Sequence, residues 1–398
     1  LAVIATTLFC LFLAAIFAFP FMLAAFLPST SIPLMLGLPA IWVISEWVRS
    51  WIFTGFPWLY AGYSHTETWL NGWAPIGGVL SLSFFSALTA MLFLWLVQGM
   101  EQRRSTLSLS VILMVLTISG YLLQQVNWTK DIGKPLTVAL IQPNIAQNEK
   151  WSVEKRRAIL TQLAAQTEAY WGHDIIIWPE AAVPSTPKRI PVFMQNLERK
   201  ANDSGSTLLT GIITQDGEQG RYYNSVLAVG DQSGQYHKTR LVPFGEYVPL
   251  ESLLRGLIQF FDLPMSSLSV GPSNQIPLTV QKQLIATAIC YEVVYPDLVA
   301  RSSREASLIV TVSNDTWFGE SLGPLQHMQM VQMRALENAK PIIRGTNNGI
   351  SGLVDQRGNI YGRMDQNSID ELSGVVQPRA GQTPFSITGS WPIIFLSW

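Results

Sequence analysis

Asp174-Ile175-Ile176-Ile177-Trp178-Pro179-Glu180 and Leu284-Ile285-Ala286-Thr287-Ala288-Ile289-Cys290 are the two stretches on which the fold turns. Each contains a compact, β-rich apolar run that reads as a short strand, and each closes on a side chain with chemistry of its own. Around them the polar part of the chain alternates. Val138–Ile141 is another short strand, followed by an amphipathic stretch from Val153 to Tyr170, and a helical pattern runs from Pro191 to Ala201. Thr207–Ile213, Tyr223–Val229 and Gln235–His237 read as strands separated by Gly-, Asp- and Ser-rich turns. Past the second quoted stretch come a helix over Asp297–Arg304, a strand over Ser307–Val312 and a helix over Leu325–Asn338. Short strands around Ile342, Ser351 and Tyr361 follow. Strand–helix alternation with intervening hairpins predicts an α/β layered fold with some antiparallel pairing.

The part before residue 125 is different in kind. The 398 residues have a mean hydropathy of +0.24 and are 13% charged, against about 25% in soluble proteins. Only Glu46, Arg49, Glu67, Glu101, Arg103 and Arg104 carry charge before that point. Such a step predicts a lipid-embedded first part and a water-facing second part. Leu1–Leu27, Ile32–Trp51, Ile76–Gln98 and Leu107–Gln124 are candidate spans, since ~20 mostly apolar residues cross a bilayer. Glu46 and Arg49 share a helix face and are expected to pair. Arg103 and Arg104, in the short loop 99–105, favour the cytoplasmic side, which puts everything after Val126 outside the cytoplasm. Trp51, Trp58, Tyr60, Tyr63 and Trp69 crowd the segment after the second span, as at a membrane–water interface. The opening run lacks the basic start of a signal peptide. Beginning on Leu and stopping within Ser-Trp-Pro-Ile-Ile-Phe-Leu-Ser-Trp, the chain reads as a fragment cut at both ends. A net charge of −1 gives no reason to expect a nucleic-acid partner.

Three residues suited to acyl transfer stand at strand ends, where open α/β sheets receive ligands. Glu180 follows Ile175–Trp178, Lys238 follows Gln235–His237, and Cys290 follows Leu284–Ile289. A thiol titrates near ~8.5 and is a better nucleophile once a neighbouring base takes its proton, which makes Glu180 the general base. Lys238 and the backbone N–H after the nucleophile are placed to meet an oxyanion. Cys10 lies in the first apolar run, so a disulfide with Cys290 is not expected. Of His65, His173, His237 and His327, His237 is the best partner for a Cys–His site. It precedes Lys238 in a strand, however, so the two side chains face opposite ways. No nucleophile elbow of the Gly-x-Ser-x-Gly type, phosphate loop or zinc-ligand spacing is present.

These residues sit inside recognisable blocks. Trp178-Pro179-Glu180, Tyr236-His237-Lys238 and Ala288-Ile289-Cys290-Tyr291-Glu292 resemble the three signature blocks of the nitrilase superfamily. Thr54-Gly55-Phe56-Pro57-Trp58-Leu59 with Gly62-Tyr63-Ser64, Leu241–Pro249, Ser313–Gly319, and Gln142-Pro143-Asn144 with Trp151 resemble its membrane branch, the apolipoprotein N-acyltransferases. The resemblance covers almost the whole chain. It implies an α-helical transmembrane bundle followed by an α/β nitrilase-like αββα sandwich. The expected boundaries are 1–125 for about four spans, 126–385 for the catalytic domain and 386–398 for the start of a further span. It also implies a multi-pass protein of the bacterial inner membrane with its catalytic domain on the periplasmic side.

The activity implied is a two-step transfer, from a phospholipid to Cys290 as a thioester, then to the amine of a diacylglyceryl-cysteine at an apolipoprotein N-terminus, with no metal or soluble cofactor because the lipid is the acyl donor. By the family pattern Glu180 is the base, Lys238 assists the oxyanion, Glu246 supports both, and Tyr291 and Glu292 flank the nucleophile. Trp151, Trp317, Leu254 and Phe261 are candidate substrate contacts. Leu253, Leu254, Leu257, Ile258 and Phe261 recur at helical spacing, as in a lid dipping into the bilayer surface, or in a helix packed on its own core. Two rival readings share part of the pattern. A membrane-anchored nitrilase-type amidase would use the same triad on a small amide, and a non-catalytic scaffold would be expected to have lost one of its three members.

Overall fold

The computed structural model describes residues 2–27, 31–98, 103–217, 220–243, 245–247 and 268–398. The chain divides into two compact units, Leu1–Trp128 with Thr383–Trp398, and Thr129–Gln382.

The first unit is helical: α1 (Ala2–Ala24), α2 (Ser31–Arg49), α3 (Ala74–Gln98) and α4 (Arg103–Leu123), with a short helix Trp391–Ser397. Two stretches in it are long and apolar enough to cross a membrane, Thr6–Ala24 and Trp69–Val97; Leu107–Leu123 is a shorter apolar helix. Val3, Leu8, Leu11 and Phe17 on α1 and Leu107, Met114, Val115 and Tyr121 on α4 are exposed. Glu46, expected to pair with Arg49, instead accepts from the Ala61 N–H at 2.8 Å and from Trp42 Nε1 at 3.0 Å. It thereby satisfies a backbone donor within the aromatic loop, while Arg49 lies over the Tyr60 ring at 5.4 Å. Within that loop Trp58, Tyr60 and Tyr63 are buried among the helices and Trp51 is half exposed.

The second unit is built on two six-stranded sheets. One has the order β13-β2-β3-β4-β5-β6: Asp370–Val376, Leu136–Gln142, Ile175–Ile177, Thr207–Gln215, Tyr222–Val229 and Gly234–His237. The other has the order β12-β11-β10-β9-β8-β7: Ile360–Arg363, Gly352–Val354, Ile342–Thr346, Leu308–Ser313, Gln283–Ile289 and Leu278–Val280. A small two-stranded ribbon joins β1 (Lys130–Asp131) to β14 (Arg379–Ala380). In both large sheets the centre is parallel (β2-β3-β4 and β8-β9-β10), and the edges are antiparallel.

Side-chain alternation explains the layering. Ile175 and Ile177 enter a core shared with Leu140, Leu209, Ile285, Val310 and Ile343, so the two sheets meet face to face. Ile176 points the other way, into a second cluster with Leu160, Leu163 and Leu197 from the helices Arg156–Thr167 and Pro191–Ser204. The helices Pro296–Ser303 and Gly323–Asn338 lie against β8 and against β10 and β11, respectively. This is the expected αββα layering. Ile177 is fully buried, and truncating it to alanine would cost about 2–5 kcal/mol. The strands that sequence reading passed over are edge elements: β7, the ribbon, and β13, whose Asp-Glu-Leu-Ser-Gly opening is polar.

Candidate active site

Glu180 is placed by how closely β3 and β4 run. Past the end of β3 the Trp178 N–H still donates to Leu209 O at 2.9 Å. The chain then turns at Ala181, a left-handed residue with φ +45°. It crosses Gly211 so tightly that a Cβ there would lie 2.2 Å from Pro179 O and 2.6 Å from Glu180 Cα. Only glycine admits that approach. Lys238 continues past β6, its N–H donating to Asn224 O and its carbonyl accepting from Gly271, both at 2.8 Å. Cys290 has φ +52°, an uncommon value for a non-glycine residue of the kind that marks functional turns. It starts a 3-10 turn, Cys290–Val294.

Glu292 ties these segments together. One carboxylate oxygen accepts from the Ile289 N–H at 2.8 Å. The other accepts from Tyr236 Oη at 2.9 Å, the Thr239 N–H at 2.6 Å and Thr239 Oγ1 at 2.7 Å. The loop after the lysine and the turn of the cysteine are thus clamped by one side chain.

The structure brings Glu180, Lys238 and Glu246 into a single buried network. Lys238 Nζ lies 3.2 Å from Glu180 Oε1 and 2.9 Å from the Glu246 carboxylate. Asn224 Nδ2 donates to Glu180 Oε1 and Glu246 Oε1, each at 2.8 Å. Glu180 Oε2 accepts from the Asn314 N–H at 2.9 Å, and Glu246 Oε2 from the Val242 N–H at 2.9 Å. Asn314 follows β9 in the second sheet, so residues beyond the carboxyl ends of β3 and β9 meet at Glu180.

The electrostatics follow from this packing. Burial works to raise the Glu180 carboxyl, but Lys238, then Lys150, then the Asn224 and Lys238 hydrogen bonds hold it below its usual range. It is a carboxylate at neutral pH. Burial and the Glu180 charge push the Cys290 thiol up to about 12, so the resting sulfur keeps its proton. When Glu180 takes that proton it also loses the charge that opposed the thiolate. The arrangement therefore suits proton transfer coupled to attack rather than a standing thiolate.

Four contributors escaped the sequence reading. Asn224 bridges the carboxylates, Asn314 caps Glu180, and Lys150 donates from Nζ to the Glu180 backbone carbonyl at 2.9 Å. The fourth is a buried cluster behind the nucleophile. Arg344 Nη2 donates to Asp315 Oδ2 at 2.8 Å, His327 Nδ1 stands 3.1 Å from Asp315 Oδ1, and His327 Nε2 lies 3.3 Å from Cys290 O. A carbonyl only accepts, so Nε2 carries the hydrogen. Thus His327, and not His237, is the histidine that reaches the nucleophile's backbone. His237 instead bonds Ser225 Oγ at 2.8 Å.

Tyr291 is half-buried beside Tyr295, ring centroids 5.4 Å apart. Trp151 packs with Ile213, Leu241, Leu268, Tyr222 and Tyr247, and Trp317 is exposed. Leu254 and Phe261, with the whole 253–261 stretch, lie outside the described residues. Among the described residues no His, Cys, Asp or Glu cluster is arranged as metal ligands.

Two family models match the chain: carbon-nitrogen hydrolase over residues 137–384, and the apolipoprotein N-acyltransferase N-terminal domain over residues 1–92. Its curated relatives include the apolipoprotein N-acyltransferase of Azotobacter vinelandii, 44% identical over 91% of this chain and 72% of that one. The enzyme of that name from Pseudomonas syringae pv. tomato is 43% identical over 98% and 79%. The Vibrio parahaemolyticus one is 39% identical over 91% and 72%.

Proposed function

The chain belongs to the apolipoprotein N-acyltransferase family of enzymes, and from that premise we propose that Cys290 carries an acyl chain, as a thioester, from a membrane phospholipid to an apolipoprotein amine. The observation that carries this reading is the buried Glu180 carboxylate, fixed by Lys238, Asn224 and Asn314 at the strand ends where Cys290 begins its strained turn.

In the first step Cys290 Sγ attacks the ester carbonyl carbon while Glu180 takes the thiol proton. The carbonyl oxygen becomes an oxyanion beside the N–H of Tyr291 and the lysine charge. Collapse breaks the ester C–O bond, Glu180 returns the proton to the departing lysophospholipid oxygen, and the thioester remains. In the second step the α-amine of the diacylglyceryl-cysteine attacks the thioester. Glu180 accepts the amine proton, the C–S bond breaks, and the proton returns to sulfur as the amide forms. Glu246 and Asn224 hold Glu180 and Lys238 in register, Glu292 holds the nucleophile turn, and Tyr291 and Trp151 line the approach, with Trp317 at its outer edge. No soluble cofactor enters, because the lipid is the acyl donor.

The same reading makes the helical part a multi-pass anchor in the bacterial inner membrane, with the catalytic unit on the periplasmic side. Two long apolar helices and the outward apolar faces of α1 and α4 support embedding. Arg103 and Arg104 support the orientation. The deciding experiment supplies the full-length protein, in membranes, with labelled phospholipid and a diacylated lipopeptide, and compares Cys290→Ala. A hydroxylamine-labile acyl-enzyme and N-acylated peptide, both lost in the variant, are expected. Thioester followed only by fatty-acid release would make the protein a hydrolase, and N-acylation by the variant would remove Cys290 as nucleophile.

A further inference from the structure

Lys150 is a buried lysine with too few partners. It is 1% exposed, and taking an ammonium out of water costs several kcal/mol unless its hydrogens are met. Among the described residues its Nζ makes one hydrogen bond, to the Glu180 carbonyl at 2.9 Å. Three N–H groups are available, so two remain for something else. Lys238 is in the opposite situation. Its Nζ is held between the Glu180 and Glu246 carboxylates at 3.2 and 2.9 Å, which take two of its three hydrogens and offset its charge.

We propose that Lys150 is a second catalytic cation of this site, donating to the oxyanion that forms when Cys290 attacks the acyl ester. The inference rests on the acyl-transfer reading above and deepens it. Charge supports it. The buried carboxyl groups of Glu180, Glu246 and Glu292 outnumber Lys238, and Lys150 supplies a second buried cation beside Glu180 before an oxyanion is added. Position supports it too. The Lys150 amine is tied to the backbone of the base itself. The same short turn, Gln147–Lys150, is fixed to the site at its other end, where Gln147 Oε1 accepts from Asn314 Nδ2 at 2.8 Å. Asn314 is the residue whose N–H holds Glu180 Oε2. The ammonium is therefore held against the backbone of Glu180, close enough to Cys290 for the two to interact electrostatically.

The titratable groups that act on Lys150 are Glu180 and Cys290. On its own segment Glu149 is turned outward and paired with Lys155 at 3.2 Å. Burial brings the amine down to about 8, against the pull of those two groups. The charged form is thus present below that pH and lost above it.

The test measures formation of the Cys290 thioester from labelled phospholipid, without acceptor, over a pH series spanning about 8. Full-length parent is compared with Lys150→Gln, Lys150→Met, Lys150→Arg and Cys290→Ala, with thermal melting of each. The parent rate should hold below about pH 8 and fall above it. Gln and Met should be slower by roughly 100-fold, as for loss of an oxyanion donor, and Arg should keep most of the rate without the fall. Gln can still donate to the Glu180 carbonyl, so a purely structural lysine would be replaced by Gln with the parent's rate and pH curve. That result overturns the inference. If Gln and Met prove unstable, the parent curve decides, and no fall above about pH 8 overturns it equally. A parent that forms no Cys290-dependent thioester overturns the acyl-transfer reading and this inference together, whereas a thioester-forming parent matched by Gln removes Lys150 alone.

Discussion

Replacing Asn224 with leucine would remove the donors that let two carboxylates share one lysine. Its amide nitrogen lies 2.8 Å from Glu180 Oε1 and from Glu246 Oε1, so those oxygens are no more than about 5.6 Å apart. At an effective dielectric of about 20 they repel by ~3 kcal/mol. The substitution is clean, because among the described residues Asn224 Oδ1 has no partner to lose. Each lost hydrogen bond to an ionised group is worth ~1.5–3 kcal/mol. The bond to Glu180 favours its ionised form, so losing it raises that carboxyl. Glu180 must be ionised to act as base. Activity falls as pH drops through its titration, and the acid limb of the first-step pH–rate curve should move upward by about one to two pH units. Asn224→Asp adds a third carboxylate and should move the limb further. The assay is thioester formation on Cys290 at saturating phospholipid, across the acid range, with melting curves to confirm folding. An acid limb at the same pH in all three proteins would refute the shared-carboxylate argument.

Three further outcomes follow from the same geometry. Gly211→Ala forces a Cβ against Pro179 O and should displace Glu180. A first-step loss of roughly 100-fold, with cysteine alkylation showing Cys290 still present and folded, is the expected result. Asp315 is held well below the usual carboxylate range, since Arg344 and His327 outweigh its burial. Its contribution to stability is full above the ordinary Asp value of about 4 and is lost as pH falls below it. Asp315→Asn leaves Arg344 charged and buried and should cost about 3–5 kcal/mol, read as a lowered melting temperature at neutral pH. Glu292→Gln presents an amide where the carboxylate now accepts from either the Ile289 N–H or the Tyr236–Thr239 donors. It should cost about 1–3 kcal/mol and slow acylation while leaving phospholipid binding intact in a lipid-competition measurement.

What the sequence discloses of this protein depends on how far apart the interacting residues lie along the chain. The runs Ile175–Ile177 and Leu284–Ile289 announce buried strands through local composition, so Glu180 and Cys290 are visible as residues standing at strand ends. Lys238 is visible through the short strand Gln235–His237 that it follows, although that strand is polar and only partly buried. β13 is not, because Asp370–Val376 is strand-like only through its register with Leu136–Gln142, more than 200 positions away. The residues that tune the site were hidden in the same manner. Asn224 sits inside a strand whose polar pair, Asn224-Ser225, gives a weak local hint, since Asn is depleted in strands. Its importance arises from a carboxylate 44 positions earlier. Lys150 follows Glu149 in a charged turn that reads as solvated, yet it is buried and bonded to the backbone carbonyl of Glu180, 30 positions on.

The two classes differ for a physical reason. A nucleophile and its base must stand at a rigid element's end to reach a substrate, and rigid elements are written in local periodicity. The groups that set their protonation act through short-range hydrogen bonds in a site closed to water. Any element that packs there can supply them, and none needs a local signature. Buried charges are tolerable only when opposite charges and hydrogen bonds meet them. The carboxylates of Glu180 and Glu246 are met by Lys238 and Asn224, and Lys150, fixed to the Glu180 backbone, adds a cation that no local pattern announces.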